Sequence, residues 1–250
     1  MIDIHTHLLP GVDDGSPSPE ISIPILERFA ADGVQIVVCT PHLEASRASH
    51  APYERHLEIL AALRTRAIVS PELRLGWEIM LDTPGVDLRD SRFTLGGSTA
   101  VLVEFPRMMV PPNASEELFR LRMSGVVPVL AHPERYWGCT VERVAEWRRV
   151  GAVVQMDVAG VFASGPQGTL AMSLLEQGLV DLLASDTHGD SRALVPAKRW
   201  LLELGADDTA DLLTRRNAAH LLADQALEPV PPRERRRGMF GRLKELLLRR

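Results

Sequence analysis

The sequence predicts a parallel α/β chain wound into a small seven-stranded barrel. Two observations carry this. Seven short runs rich in Val, Ile and Leu lie within residues 1–184 and alternate with segments of helical periodicity, the pattern that builds parallel sheets. Six of those runs lead into His, Asp or Glu, and in a barrel the carboxyl ends of all strands converge on one face.

The first run, residues 1–4, leads into His5 and His7. A helix begun at Pro19 would be broken at Pro24, so the first helix either starts near Ser22, with Pro24 in its first turn, or is kinked. The second run, 35–40, is followed by His42, and Leu57, Leu60 and Ala61 then stand at the i, i+3, i+4 spacing of a helix. The third run, 73–79, carries Glu78, and the fourth, 100–103, ends at Glu104. Leu118, Leu121 and Met123 mark a helix before the fifth run, 127–131, which ends at His132. Helical segments over 141–150 and 168–177 frame the sixth run, 153–156. The seventh, 180–184, leads to Asp186 and His188. No repeat or low-complexity tract interrupts the series, so residues 1–228 read as one domain.

With 250 residues, 45% hydrophobic and 24% charged, the chain has the composition of a globular protein with a sizeable core. Cys39 and Cys139 form no CxxC pair and no disulfide framework, and Cys39 lies in an apolar run that reads as core. The start, MIDIHTH, lacks the basic and apolar regions of a signal peptide, and no window approaches ~18 apolar residues, so a cytoplasmic location is expected. The net charge of −5 averages two unlike parts. Residues 233–250 hold eight basic and two acidic residues, net +6, leaving −11 on residues 1–232. An acidic body is a poor nucleic-acid binder, because phosphate contacts need clustered Lys and Arg. Pro229, Pro231 and Pro232 read as a linker to the tail. There Phe240, Leu243, Leu246 and Leu247 recur at helical spacing among Arg242, Lys244, Arg249 and Arg250, a basic amphipathic pattern of membrane-surface type. The alternatives are a solvated terminus, or docking on the body or on a second subunit of a homo-oligomer.

The chemistry sits at the strand ends. An HxH after a strand puts two imidazoles on one side of the pleat, where they can grip one ion. Each motif alone has a bland reading, such as a satisfied core carboxylate for Glu104. A carboxylate on an apolar run is nevertheless costly to bury unless paired or metal-bound. HxH, PH, AHP and SDTH motifs together with Glu78 and Glu104 point to a multinuclear metal site. Ligands without thiolate suit Mn²⁺, Fe or Zn²⁺, and several divalent ions in one pocket suit phosphate chemistry. Arg135 and Arg192 lie near these motifs and could fork onto a phosphate, or else pair with neighbouring carboxylates. Neither cysteine is followed by the arginine a cysteine phosphatase needs, and no P-loop lysine or GxSxG elbow occurs.

The motifs MIDIHTHLLPGVDDG, CTPH, GWEI, VLVEFP, AHPERY and ASDTHGDSR, in this order, closely resemble the polymerase-and-histidinol-phosphatase (PHP) superfamily. More narrowly, they resemble the bacterial metal-dependent protein-tyrosine phosphatases of capsular and exopolysaccharide operons. The resemblance covers about residues 1–224. It implies a distorted seven-stranded (β/α) barrel, three divalent metals, often Mn²⁺, and hydrolysis of a phosphoric monoester. Carried over, His5, His7, Glu78 and Asp186 would hold the first metal. His42 and His188 would hold the second, with Asp14 where many members have histidine. Glu104 and His132 would hold the third, with Glu78 bridging. Arg135 and Arg192 match arginines used around the phosphate. Asp13 reads as a turn residue, although spacing does not separate it from Asp14. His50, His56 and His220 match no ligand motif and read as surface or packing residues. The segments 87–97 and 107–112 match no motif and would shape substrate access. The implied substrate is phosphotyrosine on a membrane-associated bacterial tyrosine kinase, a polysaccharide co-polymerase; the rivals are a small phosphomonoester such as histidinol phosphate and, in a third class, a non-catalytic kinase-binding adaptor.

Overall fold

In the computed structural model, which describes residues 1–233, every strand runs parallel to its hydrogen-bonded neighbours. β1 (Ile2–Thr6), β2 (Ile36–Cys39) and β4 (Glu72–Leu75) form one sheet in the order β1-β2-β4. β3 (His42–Glu44), β5 (Glu78–Met80), β6 (Ala100–Glu104), β7 (Val127–Ala131), β8 (Val153–Asp157) and β9 (Leu182–Ala184) form a second sheet in that order. The arrangement is thus α/β with parallel sheets. Burial on both faces explains why the strands read as apolar runs rather than alternations. One face packs on itself through Ile4, Val38, Leu102, Val129 and Leu182, and the other packs against helices through residues such as Val37, Val103 and Val154.

Two of the expected single strands are broken. The run 35–40 ends as β2 at Cys39 and resumes as β3 after Thr40 and Pro41; the run 73–79 is divided at Gly76 and Trp77. Pro41 has no N–H to give a ladder. A Cβ on Gly76 would come within 2.8 Å of the Leu95 side chain, which would have to shift, so glycine suits the close packing there. Both breaks lie just before a candidate ligand, His42 or Glu78, and Glu78 N still reaches Pro41 O across them at 3.1 Å. At the far edges, His7 N donates to Thr187 O at 2.8 Å and Asp186 N to His5 O at 3.0 Å, bringing the ends of β1 and β9 together.

The helices are α1 (Pro19–Ala31), α2 (Tyr53–Arg66), α3 (Ala114–Met123), α4 (Val141–Arg149), α5 (Val158–Phe162), α6 (Gly165–Glu176), α7 (Leu194–Glu203), α8 (Asp207–Asp211) and α9 (Asn217–Leu222), with a π-helical turn, Leu212–Arg216, between the last two. Of the two expected alternatives the start near Ser22 is not met, since α1 begins at Pro19 and continues through Pro24. Pro24 is exposed, so its ring meets water rather than the core. The expected proline linker is packed on the body: Val230 is buried, and Arg233 N donates to Glu176 O at 2.7 Å. The amphipathic pattern from Phe240 onward lies outside the described residues. Among those described, no helix is long and apolar enough to cross a membrane.

Candidate metal centre

His5 and His7 leave β1 fully buried, with their Nε2 atoms facing each other at 3.2 Å. The outer nitrogens are both engaged by oxygen: His5 Nδ1 donates to Gln155 Oε1 at 2.9 Å and His7 Nδ1 to Asp13 Oδ2 at 2.7 Å. Donation from Nδ1 leaves the Nε2 lone pairs pointing at one spot, the arrangement by which outer partners orient metal-ligating histidines. Gln155 is itself turned by Asp157, whose Oδ1 accepts from Gln155 Nε2 at 3.1 Å.

The other donors arrive by register. His42 and Glu78 are the first residues of β3 and β5 and stand opposite each other, and Glu104 at the end of β6 pairs with Met80. His132 and Asp186 follow β7 and β9 with φ of +35° and +47°. Left-handed backbone is uncommon for residues with a Cβ, and here it turns both side chains at the point where their strands end. Three donor groups result, each with atoms within 4.8 Å of one another: His5, His7, Glu78 and Asp186; His7, Asp14, His42 and His188; and His42, Glu78 and Glu104. His132 reaches the third group through Glu78, its Nε2 being 2.7 Å from Glu78 Oε1. Gly15 lets the Asp13–Asp14 turn lie on β1, since a Cβ there would come within 2.3 Å of His7 O.

The electrostatics ask for positive charge at the same spot. Burial disfavours a charged His5 ring, but Glu78 and Asp186 beside it outweigh burial and lift it to about 9. His7 is likewise raised against burial, by Asp13, Asp186 and Glu78. Glu78 and Asp186 are lowered despite burial, because the histidines face them. Glu104 moves the other way, to about 6, through burial and the charge of Glu78. Asp186 Oδ1 is buried without a hydrogen-bond partner and lies 3.3 Å from both His5 Nε2 and His7 Nε2. An orphaned carboxylate oxygen facing two imidazole lone pairs fits a divalent cation.

Arg135 Nη1 donates to Asp186 Oδ2 at 2.8 Å and Asp157 Oδ2 at 3.1 Å, and Arg192 Nη1 donates to the same Asp186 oxygen at 3.1 Å. Both arginines therefore sit at the donor cluster, paired with carboxylates. A cleft of about 630 Å³ opens beside it, lined by Val12, Leu43, Arg47, Trp77 and Met80 among others. His50 lines this cleft, while His56 is buried against the Trp77 ring, centroids 4.7 Å apart. His220 lies part-buried on α9, and burial pushes the Cys39 thiol up to about 12.

Sequence reasoning missed Asp13 as a partner of His7, and missed Gln155 and Asp157 altogether. Asp157 ends β8 as the other candidates end their strands, so the same rule would have found it. Gln155 carries no charge, and nothing in its run sets it apart.

Fold and site together define a parallel α/β protein with a histidine–carboxylate centre at the carboxyl ends of its strands. The chain belongs to the capsular polysaccharide synthesis CpsB/CapC family, whose model matches residues 1–223. The tyrosine-protein phosphatase YwqE of Bacillus subtilis is 26% identical over 257 residues, 96% of this chain and 99% of the relative. The tyrosine-protein phosphatase CpsB of Streptococcus pneumoniae is 31% identical over 207 residues, 77% of this chain and 85% of the relative. A crystal structure described as one of YwqE from Bacillus subtilis and CpsB from Streptococcus pneumoniae, unique metal-dependent tyrosine phosphatases, superposes with a TM-score of 0.79 at 26% identity. It covers 95% of this chain and 100% of the solved one.

Proposed function

We propose that this chain is a metal-dependent phosphotyrosine-protein phosphatase acting on a bacterial tyrosine kinase, a polysaccharide co-polymerase, that regulates capsule or exopolysaccharide production. The observation that carries it is a cluster of three overlapping donor groups, one carboxylate of which, Asp186, accepts from two arginines. The family's link to capsular polysaccharide synthesis and the phosphatase relatives support the substrate. In this reading His5, His7, Glu78 and Asp186 hold one ion, Asp14, His42 and His188 a second, and Glu104 and His132 a third, with Glu78 shared. Bound divalent ions, manganese here with iron or zinc as alternatives, would neutralise phosphoryl oxygens and supply a nucleophilic water near neutral pH.

The chain's own residues do the rest. Asp13 and Gln155 fix the rings of His7 and His5. Arg135 and Arg192, with side chains 33% and 29% exposed, turn guanidinium forks onto the phosphoryl oxygens. Asp14, the most exposed donor at 72%, completes the site at its mouth. No side chain forms a covalent intermediate, and the tyrosine leaving group, with a pKa of ~10, departs more easily than an alkoxide.

The body, residues 1–228, is in this reading one domain, a distorted seven-stranded barrel of PHP type. The two interrupted strands and the hydrogen bonds between the ends of β1 and β9 support that count and closure. The chain works in the cytoplasm, and the +6 tail concentrates it at the anionic inner membrane face. Deleting residues 233–250 should abolish binding to anionic vesicles; unchanged binding rejects the membrane role.

The deciding experiment compares Mn²⁺-loaded protein on a phosphotyrosine peptide and on histidinol phosphate. Turnover of the peptide, lost by at least ~100-fold in His5→Ala and Glu78→Ala, is the expected result. Preference for histidinol phosphate makes the protein a small-molecule phosphatase, and unchanged rates in the variants reject the metal mechanism.

A further inference from the structure

We infer that an exposed apolar pair on the site face, Met109 and Trp137, docks an apolar side chain flanking the phosphotyrosine of an extended protein substrate; the inference rests on the phosphatase reading above. The cleft beside the metal centre does not end at its own walls. Glu44 and Met80 line both this cleft and a second cavity of about 610 Å³, whose far side is formed by Pro106, Met109, Val110 and Pro111. Each cavity alone has the size of one small-ligand pocket. Side by side across Glu44 and Met80, they offer more space than a compact phosphomonoester needs, as an extended peptide would use.

The groove leads to an anchor. Met109 comes five residues after Glu104, and Trp137 five after His132, so both stand just beyond donor residues of adjacent strands. They are held side by side by a parallel bridge, with Trp137 N donating to Met108 O at 2.8 Å. Met109 and Trp137 are 54% and 82% exposed, while Trp77 and Trp147 are only 1% exposed. A Trp left in water beside an active centre is the residue type that dominates binding hot spots. The second cavity, which Met109 lines, also contains Pro106, Pro111 and Pro112, which offer no N–H for strand addition, so recognition there falls to side-chain packing. Continuity with the catalytic cleft favours the substrate chain over any other occupant.

The test uses the full chain with Mn²⁺ and three substrates: 4-nitrophenyl phosphate and two phosphotyrosine peptides that differ only in carrying Leu or Ser at the flanking positions. The Leu peptide should show a lower KM, by about tenfold, as expected for one aromatic anchor. Trp137→Asp and Met109→Asp should erase that difference and leave 4-nitrophenyl phosphate unchanged, with Trp137→Phe restoring most of it. A phosphonate analogue of the Leu peptide should also shield Trp137 fluorescence from acrylamide. Equal KM for the two peptides, or equal losses on all three substrates, overturns the docking role and leaves the phosphatase reading intact. Hydrolysis of 4-nitrophenyl phosphate with neither peptide cleaved overturns both. A dimer converted to monomer by Trp137→Asp, with the peptide ratio unchanged, makes the pair a self-association surface and overturns the inference.

Discussion

Asp13 and Asp14 are neighbours of one residue type with different work. Asp14 stands in the solvent 3.3 Å from His42 Nε2, while Asp13 turns inward, accepting from His7 Nδ1 through one oxygen and from Gly15 N through the other. Both Asp13 oxygens are needed as acceptors, because both partners are donors. Asparagine supplies only one, so Asp13→Asn must point its amide N–H₂ at either His7 or Gly15. The ring loses its orientation without any loss of core. Metal affinity in Asp13→Asn should fall by about 10–100-fold, the usual effect of removing an outer partner of a ligating histidine. Calorimetric Mn²⁺ titration measures this, with the unfolding midpoint of the chelated protein as control. Equal affinity in the variant would mean that Asp13 only shapes the turn. Such a division of labour was not legible in VDDG, where the two carboxylates are interchangeable as letters. It is set by Gly15, which allows the turn to fold back onto the His7 carbonyl.

At the scale of elements, the strands were legible wherever burial on two faces wrote an apolar run, and all seven runs contain strand. Their breaks were not: Pro41 reads as the end of a run rather than a joint through which the chain continues, and Gly76 lies unmarked inside the run 73–79. The candidate ligands just after those joints, His42 and Glu78, owe their position to them. Helices were legible where an apolar stripe was free of proline. α7 was not read from the sequence; its Pro196 sits in the first turn, where the missing N–H costs nothing. α1 is the harder case. Pro24 is the sixth residue of the helix and removes the hydrogen bond to the Glu20 carbonyl, a true interior position. The helix persists because Ile25, Leu26 and Phe29 are buried in the core. Pro24→Ala should therefore stabilise the fold by about 1–2 kcal/mol, the helix gain less the entropy returned to the unfolded chain. Urea unfolding checks this: the midpoint should rise with an unchanged slope. A midpoint that stays put would place the solution start of α1 after Pro24.

For the whole molecule, the net charge of −5 conceals a body of −11 and a +6 terminus, and the site accounts for part of the difference. Glu78, Glu104 and Asp186 are buried together, within reach of His5, His7, His42 and His132. Burying like charges in one cluster disfavours folding unless cations enter with them. Glu104, held up at about 6 by burial and by Glu78, shows where that compensation is least complete within the chain itself. Divalent ions that bind the folded site and not the unfolded chain should stabilise it by mass action, about 2.7 kcal/mol at a hundredfold excess over Kd. For a chain of this size that corresponds to about 5–10 °C in Tm. Scanning calorimetry with Mn²⁺ and then with excess chelator should show a fall of that order. Glu78→Gln, which removes the carboxylate common to two donor groups, should abolish most of the gap between the two conditions. Identical Tm values with and without chelator would instead mean that the cluster folds as a self-neutralised ion-pair network, and the metal-dependent phosphatase reading would fall with it.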